Sequence, residues 1–535
     1  MTEPAAQQPE ATEKAPERSG DAERITQITE GYTFDEPAID LGVLVEADEP
    51  VPAARVRIPL AMMNRHGLVA GATGTGKTKT LQVLAEQLSE AGVPVFAADI
   101  KGDLSGISAP GQPSDKLTAR AAKIGQDWQP TGFPVEFYAL GTDGTGTPLR
   151  ATVSSFGPVL LSKVLDLNEV QESSLGLVFS YADRAGLALL DLSDLQAVLT
   201  FLTSDEGKDE LGSIGGLSKA TVGVILRSLT NLADQGGDEF FGEPEFDTED
   251  LLRVGPDGLG VISLLELPNV QNRPALFSTF LMWLLADLFA TLPEVGDADK
   301  PKLVFFFDEA HLLFKDASKA FLEAIGQTVR LIRSKGVGVF FVTQTPKDVP
   351  EDVLAQLGSR VQHQLRAHTP NDAKALKQTV ATFPTSSYDL GEVLQTLGIG
   401  EAVVTVMDPD GAPTPVAWTR MLAPRSLMAP APAQDVSAAV QGSPQFAKYG
   451  QAVDRESARE KLAARLTAGA QAAAPPAAPA PAPGPDAPPE PPRERHTKAE
   501  PGLLEQLSKN TMVRQIGRTA AREIFRSIFG NARRR

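Results

Sequence analysis

The strongest pattern along this chain is a set of short apolar runs separated by stretches of helical periodicity. Leu68-Val69-Ala70, Val93-Pro94-Val95-Phe96-Ala97-Ala98, Leu303-Val304-Phe305-Phe306-Phe307 and Val337–Val342 each read as a strand buried on both faces. Val361–Leu365 is a further strand, and Ala402–Met407 with the turn Asp408-Pro409-Asp410-Gly411 is expected to close the sheet. After the first run, Leu81, Leu84 and Leu88 recur at helical spacing, and Gly92 is placed to end that helix. Phe321 to Ser334 predicts another helix before the Val337 strand. Strands alternating with helices predict an α/β fold around a mostly parallel sheet.

Leu149–Leu202 and Leu217–Ala233 are mostly helical in pattern, punctuated by turns such as Asp234-Gln235-Gly236-Gly237-Asp238. They predict a helical insertion over about 111–300, with a strand at Leu259–Leu265 returning to the sheet. The apolar stretch Ala275–Leu292 is broken by Asp287 and reads as a buried helix rather than a membrane span.

The ends differ from the middle. Residues 1–30, rich in Glu, Ala, Pro and Gln, are expected to be disordered. Over 31–59 apolar residues alternate with polar ones (Ile39, Leu41, Val43, Val45, Val56, Ile58), a short β-rich lead-in to a main domain at 60–425. An Ala/Pro-rich linker at 426–502 and a basic amphipathic helix at 503–535 follow. In that helix Met512, Ile516, Ala520, Ile524 and Ile528 recur every four residues, while Lys509, Arg514, Arg518, Arg522 and Arg526 line another face. It suits DNA, an anionic membrane surface, a protein partner or the acidic body of its own assembly.

Composition narrows the classes. A length of 535 residues allows two to three domains. With no cysteine there are no disulfides or thiolate metal sites, and five scattered histidines make a zinc site unexpected. A net charge of −18 argues against a uniformly basic, nucleic-acid-coating surface, though not against a local basic lining. No signal-peptide pattern or long apolar span is visible, so a cytoplasmic protein is expected.

Candidate chemistry concentrates at two strand ends. Gly71-Ala72-Thr73-Gly74-Thr75-Gly76-Lys77-Thr78 fits the phosphate-loop pattern G-x-x-x-x-G-K-S/T, and Lys79 continues into the helix. The glycines let successive N–H groups turn toward one anion, Lys77 reaches the β- and γ-phosphates, and the Thr78 hydroxyl ligates Mg²⁺. The chain therefore reads as a binder of a nucleoside triphosphate. Asp308 and Glu309 follow five apolar residues, where Asp308 would hold Mg²⁺ and Glu309 would orient or deprotonate the attacking water. Asp99, Lys101 and Asp103, at another strand end, either order the metal or water or form a local ion pair. Gln344 follows the Val337 strand, beside the expected γ-phosphate. Arg333 is placed to project as a finger toward a neighbouring subunit, Arg360 is a second candidate, and Arg330 suits a solvated helix end equally well. The whole reading requires the glycine turn and the acidic pair to meet across adjacent strand ends and share one triphosphate.

The ordered set Gly71–Thr78, Asp99-Ile100-Lys101-Gly102-Asp103-Leu104-Ser105-Gly106, Leu149–Ser154, Gln235–Asp238, Phe240–Pro244, Asp308-Glu309-Ala310-His311 and Thr343-Gln344 resembles the HerA/FtsK branch of the RecA-like P-loop ATPases. It is most similar to the bacterial HerA-like ATPases typified by YjgR, over roughly residues 30–425. DEAH-box RNA helicases share the four letters at 308–311, but their Ser-Ala-Thr and Gln-x-x-Gly-Arg-x-Gly-Arg motifs are absent here. The resemblance implies a RecA-like core, ATP and Mg²⁺ as ligands, a homo-hexameric ring with hydrolysis between subunits, and double-stranded DNA as the translocated partner. It carries over roles for Lys77, Thr78, Asp308, Glu309 and Gln344, and that of trans finger for Arg333. The N-terminal β-barrel of archaeal HerA is abbreviated here, so nuclease docking is not implied. Two other functions stay open: a polypeptide-moving ATPase of the type IV secretion kind, and a nucleotide-gated scaffold working through the basic terminal helix.

Overall fold

The computed structural model describes residues 17–141, 144–213, 215–267, 273–296, 298–314, 317 and 319–473. Two compact units divide them: the described residues of 17–149, 246–281 and 293–451 form the first, and those of 150–245, 282–292 and 452–473 the second.

The first unit is organised on one sheet. Its strands are β1 (Ala38–Glu46), β2 (Glu49–Pro59), β3 (Gly67–Ala70), β4 (Val95–Asp99), β5 (Val135–Leu140), β6 (Thr147–Leu149), β7 (Ile262–Glu266), β8 (Leu303–Phe307), β9 (Val337–Thr343), β10 (Ser359–His363), β11 (Glu401–Thr405) and β12 (Ala417–Met421). They lie in the order β2-β1-β12-β11-β10-β3-β9-β8-β4-β7-β5-β6. From β10 to β6 every pairing is parallel; from β10 to β2 every pairing is antiparallel. This is the RecA-like α/β arrangement, with an antiparallel extension at one edge.

The parallel strands are apolar throughout because both faces are covered; β3, β4, β8 and β9 are buried at every position. On one face, Leu81, Leu84 and Leu88 of the helix Lys77–Glu90 share a core with Val69, Val95, Val304 and Val342. On the other, Phe96 packs on Phe305 with centroids 5.1 Å apart, and Phe341 meets Phe307 and Phe314 at 5.8 and 5.4 Å. Edge strand β2 instead carries Pro50, Pro52, Arg55 and Arg57, residues that discourage pairing with a further strand.

Several expectations change. The phosphate-loop strand β3 and the acidic strand β8 are not adjacent; β9 lies between them. The β-rich lead-in is no separate piece, since β1 pairs with β12 and continues the main sheet, so β11 does not close it. The N-terminus is helical over Glu17–Gly31, where disorder was expected from composition. Ile25, Ile28 and Tyr32 form a stripe at helical spacing, and the Tyr32 hydroxyl, wholly buried, lies 2.8 Å from the Pro415 carbonyl and 3.1 Å from that of Val404. The insertion is narrower than 111–300: β5, β6 and β7 are sheet strands, and Leu259–Leu265 returns as β7.

The second unit holds helices including Val153–Val164, Glu169–Arg184, Leu192–Leu202 and Lys219–Leu232. Asn168 and Asp191 start two of them with reciprocal capping boxes. Phe240 stacks edge-on to Phe241 and Trp283, at 5.1 and 6.0 Å.

The Ala/Pro reading of 426–502 began too early. Helices occupy Ala433–Gly442, Pro444–Tyr449 and Ala458–Ala473, and Val436, Val440 and Tyr449 are buried. The rest of that stretch and the basic helix at 503–535 lie outside the described residues. Among the described residues no helix is long and apolar enough to cross a membrane.

Candidate active site

The chain leaves β3 at Ala70 and turns through three glycines with positive φ: Gly71 (153°), Gly74 (80°) and Gly76 (121°). A side chain would strain that path, and at Gly71 it would also strike His363. Neighbouring strand ends pin the loop: Gly71 N donates to Thr343 O (3.2 Å) and Ala72 N to Gln364 O (2.8 Å). The Thr75 hydroxyl closes the turn on Ala72 O at 2.8 Å. Thr73 and Gly74 are exposed at its crest, and Thr78 is half-buried at the start of the helix Lys77–Glu90. Backbone N–H groups and the positive end of the helix dipole therefore share one concavity, the arrangement that binds phosphate.

Lys77 is only 6% exposed, and its Nζ donates to Gly71 O and Ala72 O at 2.7 and 3.2 Å. Burial lowers its pKa, while the charges of Glu309 and Asp308 oppose that shift. The phosphate loop and the acidic pair thus face one another, although β9 separates their strands. Lys79 is turned aside, donating to Gln82 Oε1 (3.1 Å) and Met428 O (2.7 Å), so it does not join the cradle.

Asp308 and Glu309 are both buried at the end of β8. Asp308 Oδ1 accepts from Glu309 N at 2.9 Å, whereas Oδ2 is buried with no hydrogen-bond partner among the described residues. Burial raises the Asp308 carboxyl to about 6; Lys101 opposes this and Glu309 adds to it. A buried, half-unsatisfied carboxylate is costly unless a cation completes it. Asp103 Oδ1 is likewise buried and unpartnered. Mg²⁺ takes one or two carboxylates and completes its shell with water and phosphate oxygens. The oxygens present, on Asp308 and Thr78, fit that ion.

Glu309 adopts φ 47°, in the left-handed region that residues with side chains avoid. The turn is held because Ala310 N donates to Val342 O of β9 at 2.9 Å. The Glu309 carboxylate meets Lys101 Nζ in an ion pair and lies 3.2 Å from His311 Nδ1. Burial pushes its pKa up, but Lys101, His311 and Lys77 together bring it below the ordinary value. It is ionised at neutral pH and able to accept a proton.

The Asp99 cluster divides. Asp99 caps its own loop, accepting from Lys101 N (3.2 Å), Gly102 N (2.7 Å) and Leu104 N (2.9 Å), with burial raising it to about 6. Its role is to shape the turn that delivers Lys101 to Glu309.

Gln344 is exposed at the end of β9, the strand between β3 and β8, so it emerges between the phosphate loop and the acidic pair. Arg333 and Arg360 do not join this cluster within the chain. Arg333 is exposed in the turn Arg333–Lys335 that precedes β9, and Arg360 lies near the start of β10. Both are at the strand ends opposite the phosphate loop. Arg360 Nη1 donates to Thr382 O at 2.8 Å, which ties it within its own subunit. Arg330 is exposed on the last turn of the helix Lys319–Ile332.

Residues 45–535 match the family described as "Helicase HerA-like C-terminal". The chain belongs to this HerA-like family. It is 24% identical over 358 residues to the "DNA double-strand break repair helicase HerA" of Sulfolobus acidocaldarius, covering 65% of this chain and 64% of that protein. The protein of the same description from Sulfurisphaera tokodaii is 24% identical over 382 residues, 69% of this chain and 67% of that one. The chain thus spans about two thirds of the length of these relatives. A solved structure titled "Bacterial conjugative coupling protein TrwBdeltaN70" is similar at 16% identity and a TM-score of 0.48, covering 76% of this chain and 94% of that one.

The HerA-like site also contains residues that the linear pattern does not reveal. His363, wholly buried at the end of β10, bridges two elements: Nδ1 lies 2.8 Å from Glu401 O and Nε2 lies 2.9 Å from Thr80 Oγ1. A carbonyl only accepts, so Nδ1 carries the proton and Nε2 accepts from the Thr80 hydroxyl. His66, before β3, spans Val329 O (2.7 Å) and Val339 N (3.0 Å) in the other tautomer. A lone histidine carries no sequence signal; only long-range pairing gives these two a role.

Burial holds both imidazoles neutral, lowering His66 and His363 to about 4. An unfolded imidazole takes up its proton near pH 6.5, so acid favours the unfolded chain. The stability they confer is complete above about pH 6.5 and declines as pH falls toward 4, by roughly 3 kcal/mol per histidine. Asp99 and Asp308, raised to about 6, act in the opposite sense between pH 6 and 4. Urea midpoints from pH 7.5 to 4.5 should therefore show a shallower decline in His66→Gln and His363→Gln than in the parent; equal slopes would exonerate the histidines.

Proposed function

We propose that this chain is a Mg²⁺-dependent ATPase that assembles as a ring, a homo-hexamer, and couples hydrolysis to movement along double-stranded DNA in the cytoplasm. The convergence of Lys77, Asp308, Glu309 and Gln344 on one end of the parallel sheet carries the chemical part of this reading. The HerA-like family and its relatives, named as DNA repair helicases, support the nucleic-acid part.

The residues divide the work. Loop N–H groups from Gly71 to Thr78 and the Lys77 ammonium hold the β- and γ-phosphates in line. Thr78 and Asp308 would hold Mg²⁺, which when bound would offset charge on the phosphate oxygens. Glu309 orients the attacking water and accepts its proton, and Gln344 contacts the γ-phosphate through its amide. Arg333 of a neighbouring subunit completes the charge stabilisation.

ATP turnover measured with and without duplex DNA tests this. Duplex DNA is expected to raise turnover, and Lys77→Ala to abolish it under both conditions. Turnover indifferent to every DNA tried would reject the DNA-moving role while leaving the ATPase; full turnover in Lys77→Ala would reject the site itself.

A further inference from the structure

Ile399 is the most exposed large apolar side chain among the described residues, at 76%. Two residues earlier in the chain, Leu397 is buried in the cluster with Leu390 and Leu394. Ile399 stays outside that cluster because its turn is clamped.

Gly400 N donates to Thr75 O of the phosphate loop at 2.9 Å, and Gly398 N donates to Glu401 Oε2 at 2.9 Å. The Gly400 carbonyl accepts from Met421 N (2.9 Å) and Arg120 Nη2 (2.8 Å). Glu401, nearly buried, is fixed in turn by Trp418 Nε1 at 3.1 Å and by Arg420. His363 ties the Glu401 carbonyl to Thr80 on the helix that the phosphate loop opens. The two turns touch, for a Cβ at Gly76 would lie 3.3 Å from Gly400 Cα. A second exposed apolar residue, Met428, is held beside the same helix start by the Lys79 ammonium on its carbonyl.

We infer that Ile399 is the platform on which the heterocyclic base of the bound nucleoside triphosphate packs. This rests on the nucleotide-binding reading above and adds its base subsite. A rigid turn that keeps an isoleucine in water gives up the burial its neighbour Leu397 enjoys, and the loss is recovered when a flat apolar ring covers it. The adjoining Thr75–Gly76 turn has the phosphate-loop geometry that holds a polyphosphate, and in a nucleotide the base is tethered to it within a few bonds. An aliphatic side chain has no donor or acceptor, so it reads the face of the ring and not its edge. It therefore favours a nucleotide over bare triphosphate without choosing among purines.

The test uses the full chain and two ligands, a non-hydrolysable ATP analogue and inorganic tripolyphosphate, with the mass of the assembly measured in parallel. Ile399→Ser is expected to weaken the analogue about ten-fold, the equivalent of ~1.4 kcal/mol, while leaving tripolyphosphate affinity and assembly mass unchanged. Ile399→Leu should restore most of the loss. Unchanged analogue affinity overturns the inference, as does an equal loss for both ligands. A fall in mass with analogue affinity per folded subunit retained also overturns it, because Ile399 would then cover a neighbouring subunit. Failure of the parent chain to bind either ligand would instead refute the nucleotide site.

Discussion

Glu309→Gln is expected to lower kcat for ATP by about 10²–10⁴-fold while leaving the affinity for a non-hydrolysable analogue within a few-fold of the parent. The substitution keeps the shape of the side chain and removes only its capacity to take a proton. The backbone of the phosphate loop does not depend on it: the loop is pinned through Gly71 N and Ala72 N to Thr343 and Gln364, not through β8. The left-handed backbone at Glu309 is set by the Ala310-to-Val342 hydrogen bond, which glutamine preserves. Loss of the Lys101 ion pair frees an ammonium near the γ-phosphate position, so binding should tighten if it changes at all. Steady-state turnover together with analogue titration decides the matter. A parallel fall in kcat and affinity would make Glu309 a binding residue and remove its role as base.

If the proposed ring places Arg333 in a neighbour's site, Arg333→Ala should lower kcat by about 10³-fold or more with nucleotide binding per subunit retained. The physical reason is distance. The seven-residue strand β9, at ~3.3 Å per residue, separates Arg333 from the Gln344 end by roughly 20 Å, well beyond an arginine's reach. Arg333 therefore cannot reach the phosphate-loop end of its own chain. Mixing Arg333→Ala with Lys77→Ala subunits, each inactive alone, should therefore recover measurable turnover at interfaces pairing an intact loop with an intact finger. A mixture as inactive as its parts would exclude the trans role. Arg360→Ala is the informative contrast: its guanidinium already serves the Thr382 carbonyl, so its removal should affect folding more than catalysis.

Much of the fold was legible because a parallel sheet needs strands that are apolar on both faces, and few other structures do. The runs at 68–70, 303–307 and 337–342 stood out for that reason, and the polar residues just after them marked the ligand end. Composition misled where a small apolar stripe sat in polar text. Ile25, Ile28 and Tyr32 are enough to dock a helix that the surrounding glutamates made look unstructured. It misled again at 433–449, where Val436 and Val440 join the main core and Tyr449 packs on Phe246 although Ala and Pro surround them in sequence.

Strand order was not legible, since hydrogen bonding between strands distant in sequence leaves no mark on local periodicity. The interposition of β9 between the glycine turn and the acidic pair is of that kind, and so is the delivery of Lys101 to Glu309. The amino-acid order alone marked the candidate residues for phosphate, metal and water, because glycine turns, a lysine ammonium and paired carboxylates have few other uses at strand ends. Only the tertiary structure decided that Lys79 turns away, that Asp99 serves its own loop, and that His363 and Gly400 brace the phosphate loop and hold Ile399 outward. Those outcomes depend on which carbonyls and carboxylates come within 3 Å once the sheet has formed, and pairing across hundreds of residues is settled by packing rather than by neighbours in the chain.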